Sequence, residues 1–122
     1  MRSRVIISTN QMAHLSYTDK IRIEKLLGMG SGYVLNFSDR TFQEFVLDSV
    51  RVDMYAPGMD AGGTSKAKRL RHFWRTQPDH VVGKLLGAFF DYYQSTESKP
   101  DRELLALLCY KLDTFGCESC TC

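Results

Sequence analysis

Apolar residues recur every three or four positions in several stretches of this chain, which is the spacing of one buried helix face. The clearest stretch carries Val82, Leu85, Leu86, Phe89 and Tyr93. Read in this way, the chain contains five predicted helices: 20–27, one from a cap at Ser38 or Asp39 to about Val50, 66–76, 80–94, and a last one that opens at Pro100 and Asp101 and includes Leu112.

Capping and helix-breaking residues lie where these helices should begin and end. The segment Ser16–Asp19 precedes the first helix, and Thr64 or Ser65 precedes the third. Pro78 should end the third helix because proline has no amide hydrogen to donate, and Asp79 should cap the fourth. These signals indicate short connections between most of the helices.

A glycine-rich segment, Gly28–Tyr33, follows the first predicted helix. It lacks the Gly-Lys-Ser/Thr ending of a phosphate-binding P-loop, and its glycine spacing is not that of the dinucleotide-binding fingerprint. We interpret it as a flexible connection between helices. The longest irregular stretch is 51–63, which is rich in glycine and aspartate.

The pattern as a whole predicts a mainly α fold. Two short segments, 5–7 and 33–37, leave room for one short strand pair. With 122 residues the chain is close to the common size of one domain. We therefore predict a compact bundle of about five helices in a single domain over 1–122, with an irregular lead-in over 1–15 and a cysteine-containing tail over 116–122.

Composition narrows the class of protein. The chain is 43% hydrophobic and 25% charged, as in ordinary globular domains. Its formal net charge of +2 is too small for an overall basic protein, so binding to nucleic acid would require local clustering of charge.

No apolar run approaches the roughly 18 to 20 residues that span a bilayer, and none is long enough for a secretory signal. We expect a cytoplasmic protein with no membrane partner.

Three of the four cysteines, Cys117, Cys120 and Cys122, lie in the last six residues, and the fourth is Cys109. The pattern lacks the second ligand pair of a zinc ribbon, and the three histidines fall at no metal-ligand spacing. A disulfide scaffold would instead spread its bridges along the chain. We expect reduced thiols in the tail, no metal and no cofactor.

The strongest local feature is the segment 66–75, here named the basic helix, in which half of the residues are lysine or arginine. Its candidate binding residues are Lys66, Lys68, Arg69, Arg71, His72 and Arg75. Helical spacing places Ala67, Leu70 and Trp74 on an inward face, and it groups Lys68, Arg71, His72 and Arg75 on another. Such a face suits the phosphates of a nucleic acid or an acidic protein surface. The alternative is a solvated face that carboxylates elsewhere on the surface neutralise.

A second candidate lies just after the basic helix, where four residues separate Arg75 from His80. The pair resembles the Arg-x(4–6)-His motif of HEPN ribonucleases. That resemblance implies that Arg75 stabilises charge on the scissile phosphate and that His80 performs acid–base work. Because so short a motif recurs by chance, we assign no catalytic residue and keep a small metal-independent ribonuclease as an alternative function.

Three blocks of sequence, 27–45, 63–74 and 81–86, resemble an N-terminal accessory domain of AbiJ-like abortive-infection proteins. The resemblance implies a role in bacterial phage defence, as a sensor or adaptor domain that works with an effector such as a HEPN-type nuclease. It places no catalytic residue in this chain.

These observations lead to one expectation and a further alternative. We expect a non-enzymatic recognition or adaptor domain that binds nucleic acid or an acidic protein partner through the basic helix.

The alternative is a purely structural module that forms a homodimer through the last helix, whose leucines make it nearly apolar all round. Such a helix is either central in the core or covered by a partner chain. The leucines are Leu104, Leu105, Leu107, Leu108 and Leu112.

Overall fold

The computed structural model describes residues 15–113, and of Leu112 and Asp113 it describes the backbone. It contains five α-helices: α1 Tyr17–Leu27, α2 Asp39–Val50, α3 Lys66–Thr76, α4 Asp79–Thr96 and α5 Arg102–Asp113. The predicted mainly helical bundle is confirmed. No helix within 15–113 combines the length and the apolar character needed to cross a membrane.

The predicted strand pair is absent from the described part of the chain. Residues 33–37 form a turn in which the Phe37 amide donates to the Val34 carbonyl at 3.1 Å. Leu35 adopts a positive φ of 50°, which is incompatible with an extended strand. The other β-prone segment, 5–7, and the rest of the lead-in before Leu15 lie outside the described residues, as does the tail over 116–122.

Short-range capping explains where most of the helices begin. The Ser16 hydroxyl accepts from the Asp19 amide, and the Asp19 carboxylate accepts from the Ser16 amide, both at 3.1 Å. This reciprocal capping box starts α1 at Tyr17, three residues earlier than predicted. Ser38 and Ser65 cap α2 and α3 in the predicted places.

The start and end of α4 differ from the prediction. Pro78, with φ −69° and ψ 159°, occupies the N-cap position, so Asp79 is the first helical residue and not the cap. A carboxylate in the first turn is favourable there because the exposed amides carry a partial positive charge. The helix continues to Thr96, two residues beyond the predicted end at Gln94.

The core is built on an aromatic cluster between α2 and α4. The ring centroids of Phe45 and Phe89 lie 5.0 Å apart, and those of Phe42 and Phe89 lie 6.1 Å apart. Phe37 joins them from the preceding turn, with its ring stacked on Tyr92 at 4.7 Å. Phe89, which lies on the predicted apolar face of α4, therefore packs that helix against α2.

The helix α5 packs against α1 and α4 with one face only. Leu105, Leu108 and Cys109 are buried, whereas Leu107 is 50% exposed. Of the two alternatives, a central helix is excluded for the described chain, because α5 lies at the surface of the bundle.

The buried Cys109 is disulfide-bonded. It is the only cysteine in 15–113, and it lies outside the tail for which reduced thiols are expected. The cytoplasmic location stays a prediction. The predicted thiol tail over 116–122 lies outside the described residues.

The glycine-rich segment after α1 is a folded turn and not a flexible connection. Met29–Ser31 form one 3-10 turn, and Met29 is buried with 1% exposure. Gly28 and Gly32 have positive φ angles of 63° and 91°, which glycine adopts without steric cost. The Gly32 carbonyl then accepts from the Ala67 amide at 3.1 Å, so this turn positions the first residues of α3.

Candidate functional site

The inward face of α3 holds the basic helix firmly on the bundle. Ala67, Leu70 and Trp74 are buried, as predicted, and Phe73 is buried with them. The aromatic pair at 73 and 74 is therefore part of the core and offers no exposed platform on which a base could stack. The orientation of every basic side chain on α3 follows from this anchoring.

Lys66 is a buried residue and not a surface one, with a relative exposure of 7%. Its ammonium group lies 3.5 Å from the Asp39 carboxylate, at the start of α2, and 4.6 Å from the centroid of the Tyr33 ring. An ammonium group is stabilised both by the carboxylate and by the negative face of the ring. Lys66 therefore ties α3 to α2 and to the preceding turn.

Arg69 is also committed to internal contacts. Its guanidinium donates to the carbonyls of Thr64 at 3.1 Å and Met54 at 3.0 Å, and it lies 4.1 Å from the centroid of the Tyr55 ring. A peptide carbonyl in a loop needs a hydrogen-bond donor when water is excluded. Arg69 supplies that donor and holds the long irregular stretch against α3.

A hydrogen bond between Tyr55 and Asp39 completes this polar cluster. The Tyr55 hydroxyl donates to the carboxylate at 2.7 Å and holds the pKa of Asp39 below its usual value, with Lys66 and Arg69 acting in the same direction. Burial raises the pKa of Tyr55 to about 12, and the neighbouring Asp39 carboxylate contributes to the rise. The tyrosine thus stays protonated and serves as a hydrogen-bond donor.

Arg71 forms a two-pronged ion pair with Glu24 of α1. Its Nε and Nη2 atoms donate to the two carboxylate oxygens at 3.0 Å and 2.9 Å, and Nη2 also lies 3.5 Å from the Met29 carbonyl. This fork geometry satisfies both carboxylate oxygens at once. Like Lys66 and Arg69, Arg71 therefore has an internal structural role.

The remaining three predicted residues form what we name the outer face of α3: Lys68, His72 and Arg75. They follow one another at one-turn intervals along the helix. Lys68 and Arg75 are exposed and His72 is half-buried. Over residues 15–113, no carboxylate forms a salt bridge with any of the three side chains.

A glycine pair lies directly against the outer face. A Cβ atom built on Gly62 would lie 2.9 Å from the Nη2 atom of Arg75, and one on Gly63 would lie 3.1 Å from the Cβ atom of Lys68. The peptide backbone of this loop therefore approaches the two cations closely, which a side-chain-bearing residue would prevent. The loop and the outer face together form one continuous surface.

The second candidate from the sequence, the pair Arg75 and His80, is less closely organised than the outer face of α3. Arg75 lies in the last turn of α3 and His80 in the first turn of α4, and both side chains are exposed. No hydrogen bond joins them in the structure. Such an open arrangement lacks the water-excluded setting in which charge stabilisation is strongest.

Sequence reasoning missed the residues that hold Lys66, Arg69 and Arg71 in internal contacts. Asp39 was considered only as a helix cap, and neither Glu24 nor Tyr55 was singled out. Their partners on α3 are far away in the chain, at positions 66, 69 and 71, so no local spacing could have revealed the contacts. The only indication in the sequence was the near balance of basic and acidic residues.

No group of three histidine, cysteine or acidic side chains within residues 15–113 is arranged to hold a metal ion. Comparisons with known proteins do not assign a function to these residues. No family model, no curated protein and no solved structure matches the chain.

Proposed function

We propose that this chain is a non-catalytic recognition domain that binds the phosphates of a nucleic acid through the outer face of α3. The observation that supports it is the separation of the basic helix into two sets. Lys66, Arg69 and Arg71 are satisfied by internal partners, whereas Lys68, His72 and Arg75 form no salt bridge with an acidic side chain of the described chain.

The arrangement suits a phosphate backbone better than a single anion. Lys68, His72 and Arg75 form a row roughly 10 Å long, with the two cations at its ends, since a helix rises about 1.5 Å per residue. A row can contact several phosphates, and each contact releases condensed counterions. The Gly62–Gly63 backbone lies against the guanidinium of Arg75 and the aliphatic stem of Lys68, so its peptide groups adjoin the same surface.

The resemblance to AbiJ-like abortive-infection proteins suggests where such recognition would be used. We place the domain in bacterial phage defence, as the part that senses nucleic acid for an associated effector. This placement depends on the resemblance alone, whereas the binding proposal depends on the outer face. The two parts of the proposal can therefore fail separately.

A fluorescence titration tests the binding proposal. Labelled single-stranded RNA and duplex DNA are titrated with the protein at several salt concentrations, and the association constant is plotted against salt on logarithmic axes. We expect steep salt dependence, with the slope reduced by about 0.7 on a single strand or about 0.9 on duplex DNA for each lost phosphate contact. The informative variants are Lys68→Ala and Arg75→Ala.

Lys99→Ala is the matched control, because Lys99 is an exposed cation in the loop after α4 and has no salt-bridge partner within 15–113. Its slope should equal that of the unchanged protein. Absence of binding, or an equal effect of all three substitutions, would overturn the proposal. The RNA is afterwards run on a denaturing gel: metal-independent cleavage that disappears in both Arg75→Ala and His80→Ala would replace it with the ribonuclease alternative.

A further inference from the structure

His72 is the middle member of the outer face of α3 and the one whose charge changes near neutral pH. It lies one turn after Lys68 and one turn before Arg75. Lysine and arginine stay charged in this range, whereas a histidine side chain changes its charge between about pH 5 and 8. The charge at the centre of the row is therefore variable, and the charge at its two ends is fixed.

The fold supplies no partner that would fix the proton on this ring. Within residues 15–113 no hydrogen bond or salt bridge reaches a ring nitrogen of His72, and the Thr76 hydroxyl donates to its backbone carbonyl at 2.9 Å. The acidic residues nearest to it along the chain are Asp60 and Asp79, and neither forms a salt bridge with it. Protonation of the ring therefore responds to whatever binds beside it.

The loop before α3 covers one flank of His72 with uncharged backbone. A Cβ atom built on Gly62 would lie 3.5 Å from the Cβ atom of His72 and 2.9 Å from Nη2 of Arg75. His72 is half-buried as a result, whereas Lys68 and Arg75 are exposed. A phosphate backbone that contacts both of these cations passes over the histidine that lies between them.

We propose that nucleic acid binds the outer face of α3 together with a proton on His72, so that binding is tighter when this histidine is charged. This inference rests on the proposed function, because it concerns the regulation of the same surface. An imidazolium donates from both ring nitrogens and attracts a phosphate, whereas the neutral ring has one donor and no charge. A bound phosphate therefore favours the proton, and the proton favours the phosphate by the same factor.

The proposed linkage changes the number of cations that meet the phosphates. The outer face presents three charges in mild acid and two in mild base. Each phosphate contact contributes about 0.9 to the logarithmic salt slope on duplex DNA. The slope should therefore be steeper by about this amount at the acidic end of the range.

Titration of a labelled duplex DNA at fixed salt and at several pH values between about 5.5 and 8 tests the linkage. Phosphodiester groups keep their charge over this range, so a change in affinity reports on the protein. We expect the affinity of the unchanged protein to rise by about fivefold or more as pH falls. His72→Gln should remain weak at every pH, whereas His72→Lys, with a fixed charge, should remain tight at every pH.

His80→Gln is the matched control, because His80 is an exposed histidine in the first turn of α4. This variant should keep the full pH dependence. Salt-sensitive binding that does not change with pH, or a pH dependence that survives His72→Gln, would overturn the inference and leave the proposed function intact. Absence of binding at every pH would overturn both. Circular dichroism establishes that each variant is folded over the same pH range.

Calorimetry measures the proton directly. Binding is followed near pH 6.5 in two buffers that differ in their enthalpy of ionisation, and the difference in measured heat gives the number of protons taken up. The unchanged protein should take up a fraction of a proton, at most about one, and His72→Gln should take up none. Binding without proton uptake in the unchanged protein would contradict the inference.

Discussion

At the scale of single residues, Asp19 shows how one buried carboxylate serves two parts of the fold. It closes the capping box of α1 with Ser16, and it accepts from the Lys111 ammonium of α5 at 3.3 Å. Burial by itself would raise the pKa of Asp19, but the hydrogen bonds from Ser16 and the charge of Lys111 lower it below the usual value. The ionised form is therefore the one that stabilises the folded chain.

We predict that Asp19→Asn lowers the free energy of unfolding by about 1 to 2 kcal/mol near neutral pH, which is the usual range for the loss of a cap and a partly buried charge pair. The folded pKa is depressed, so this stabilisation is present above the unfolded value of about 3.9 and is lost as pH falls through the folded value. Urea unfolding of both proteins at neutral and acidic pH should show the difference shrinking in acid.

Asp48→Asn provides the comparison for this prediction, because Asp48 is exposed on α2 and takes part in no salt bridge of the described chain. It should change the unfolding free energy by about 0.5 kcal/mol or less. A difference between unchanged protein and Asp19→Asn that stays constant down to about pH 2 would contradict the assigned role of the charge.

At the scale of elements, α3 depends on the loop that precedes it. Gly63 has a φ of 131°, a conformation that residues with a Cβ atom adopt only with strain. An added methyl group would also crowd the side chain of Lys68. The glycine therefore both permits the turn into α3 and leaves space for the outer face.

We predict that Gly63→Ala destabilises the protein by about 1 to 2 kcal/mol, since strain at a positive φ adds to the displacement of Lys68. Gly30→Ala is the control, because Gly30 has no positive φ and a Cβ atom built on it meets nothing within 4 Å. That substitution should change stability by about 0.5 kcal/mol or less. Equal thermal unfolding midpoints for the two variants would show that the loop tolerates a side chain at 63.

At the scale of the whole molecule, the aromatic cluster between α2 and α4 unites segments that are far apart in the chain. The fully buried Phe89 lies at its centre, with ring centroids of Phe37, Phe42 and Phe45 at 5.8, 6.1 and 5.0 Å. Removal of this ring would leave a cavity that its rigid neighbours fill only in part.

Phe89→Ala should therefore lower the free energy of unfolding by about 3 to 5 kcal/mol, a large part of the roughly 5 to 15 kcal/mol of a typical domain. Tyr17→Ala, which removes an aromatic side chain that is 80% exposed, should cost about 0.5 kcal/mol or less. Phe89→Leu should fall between them. Chemical denaturation measures all three, and a small effect of Phe89→Ala would show that the cluster does not hold the bundle together.

The sequence by itself determined the five helices and the starting points of α2 and α3, because periodicity and capping act over three or four neighbouring residues. Ser38 and Ser65 cap their helices where local chemistry predicted, whereas Ser16, the first residue of the predicted capping segment, starts α1 three residues earlier. The different start of α4 also has a local cause. Pro78, in an extended conformation, takes the N-cap position without a capping hydrogen bond.

Only the tertiary structure decided which basic residues are available and which side of α5 is covered. Asp39 and Glu24 neutralise Lys66 and Arg71 across long sequence separations, and spacing along one helix carries no information about such partners. In the same way, leucines surround α5 on all sides, and packing against α1 and α4 selects the buried ones. Helices form from short-range interactions, whereas the chemistry of a surface depends on what the other helices leave exposed.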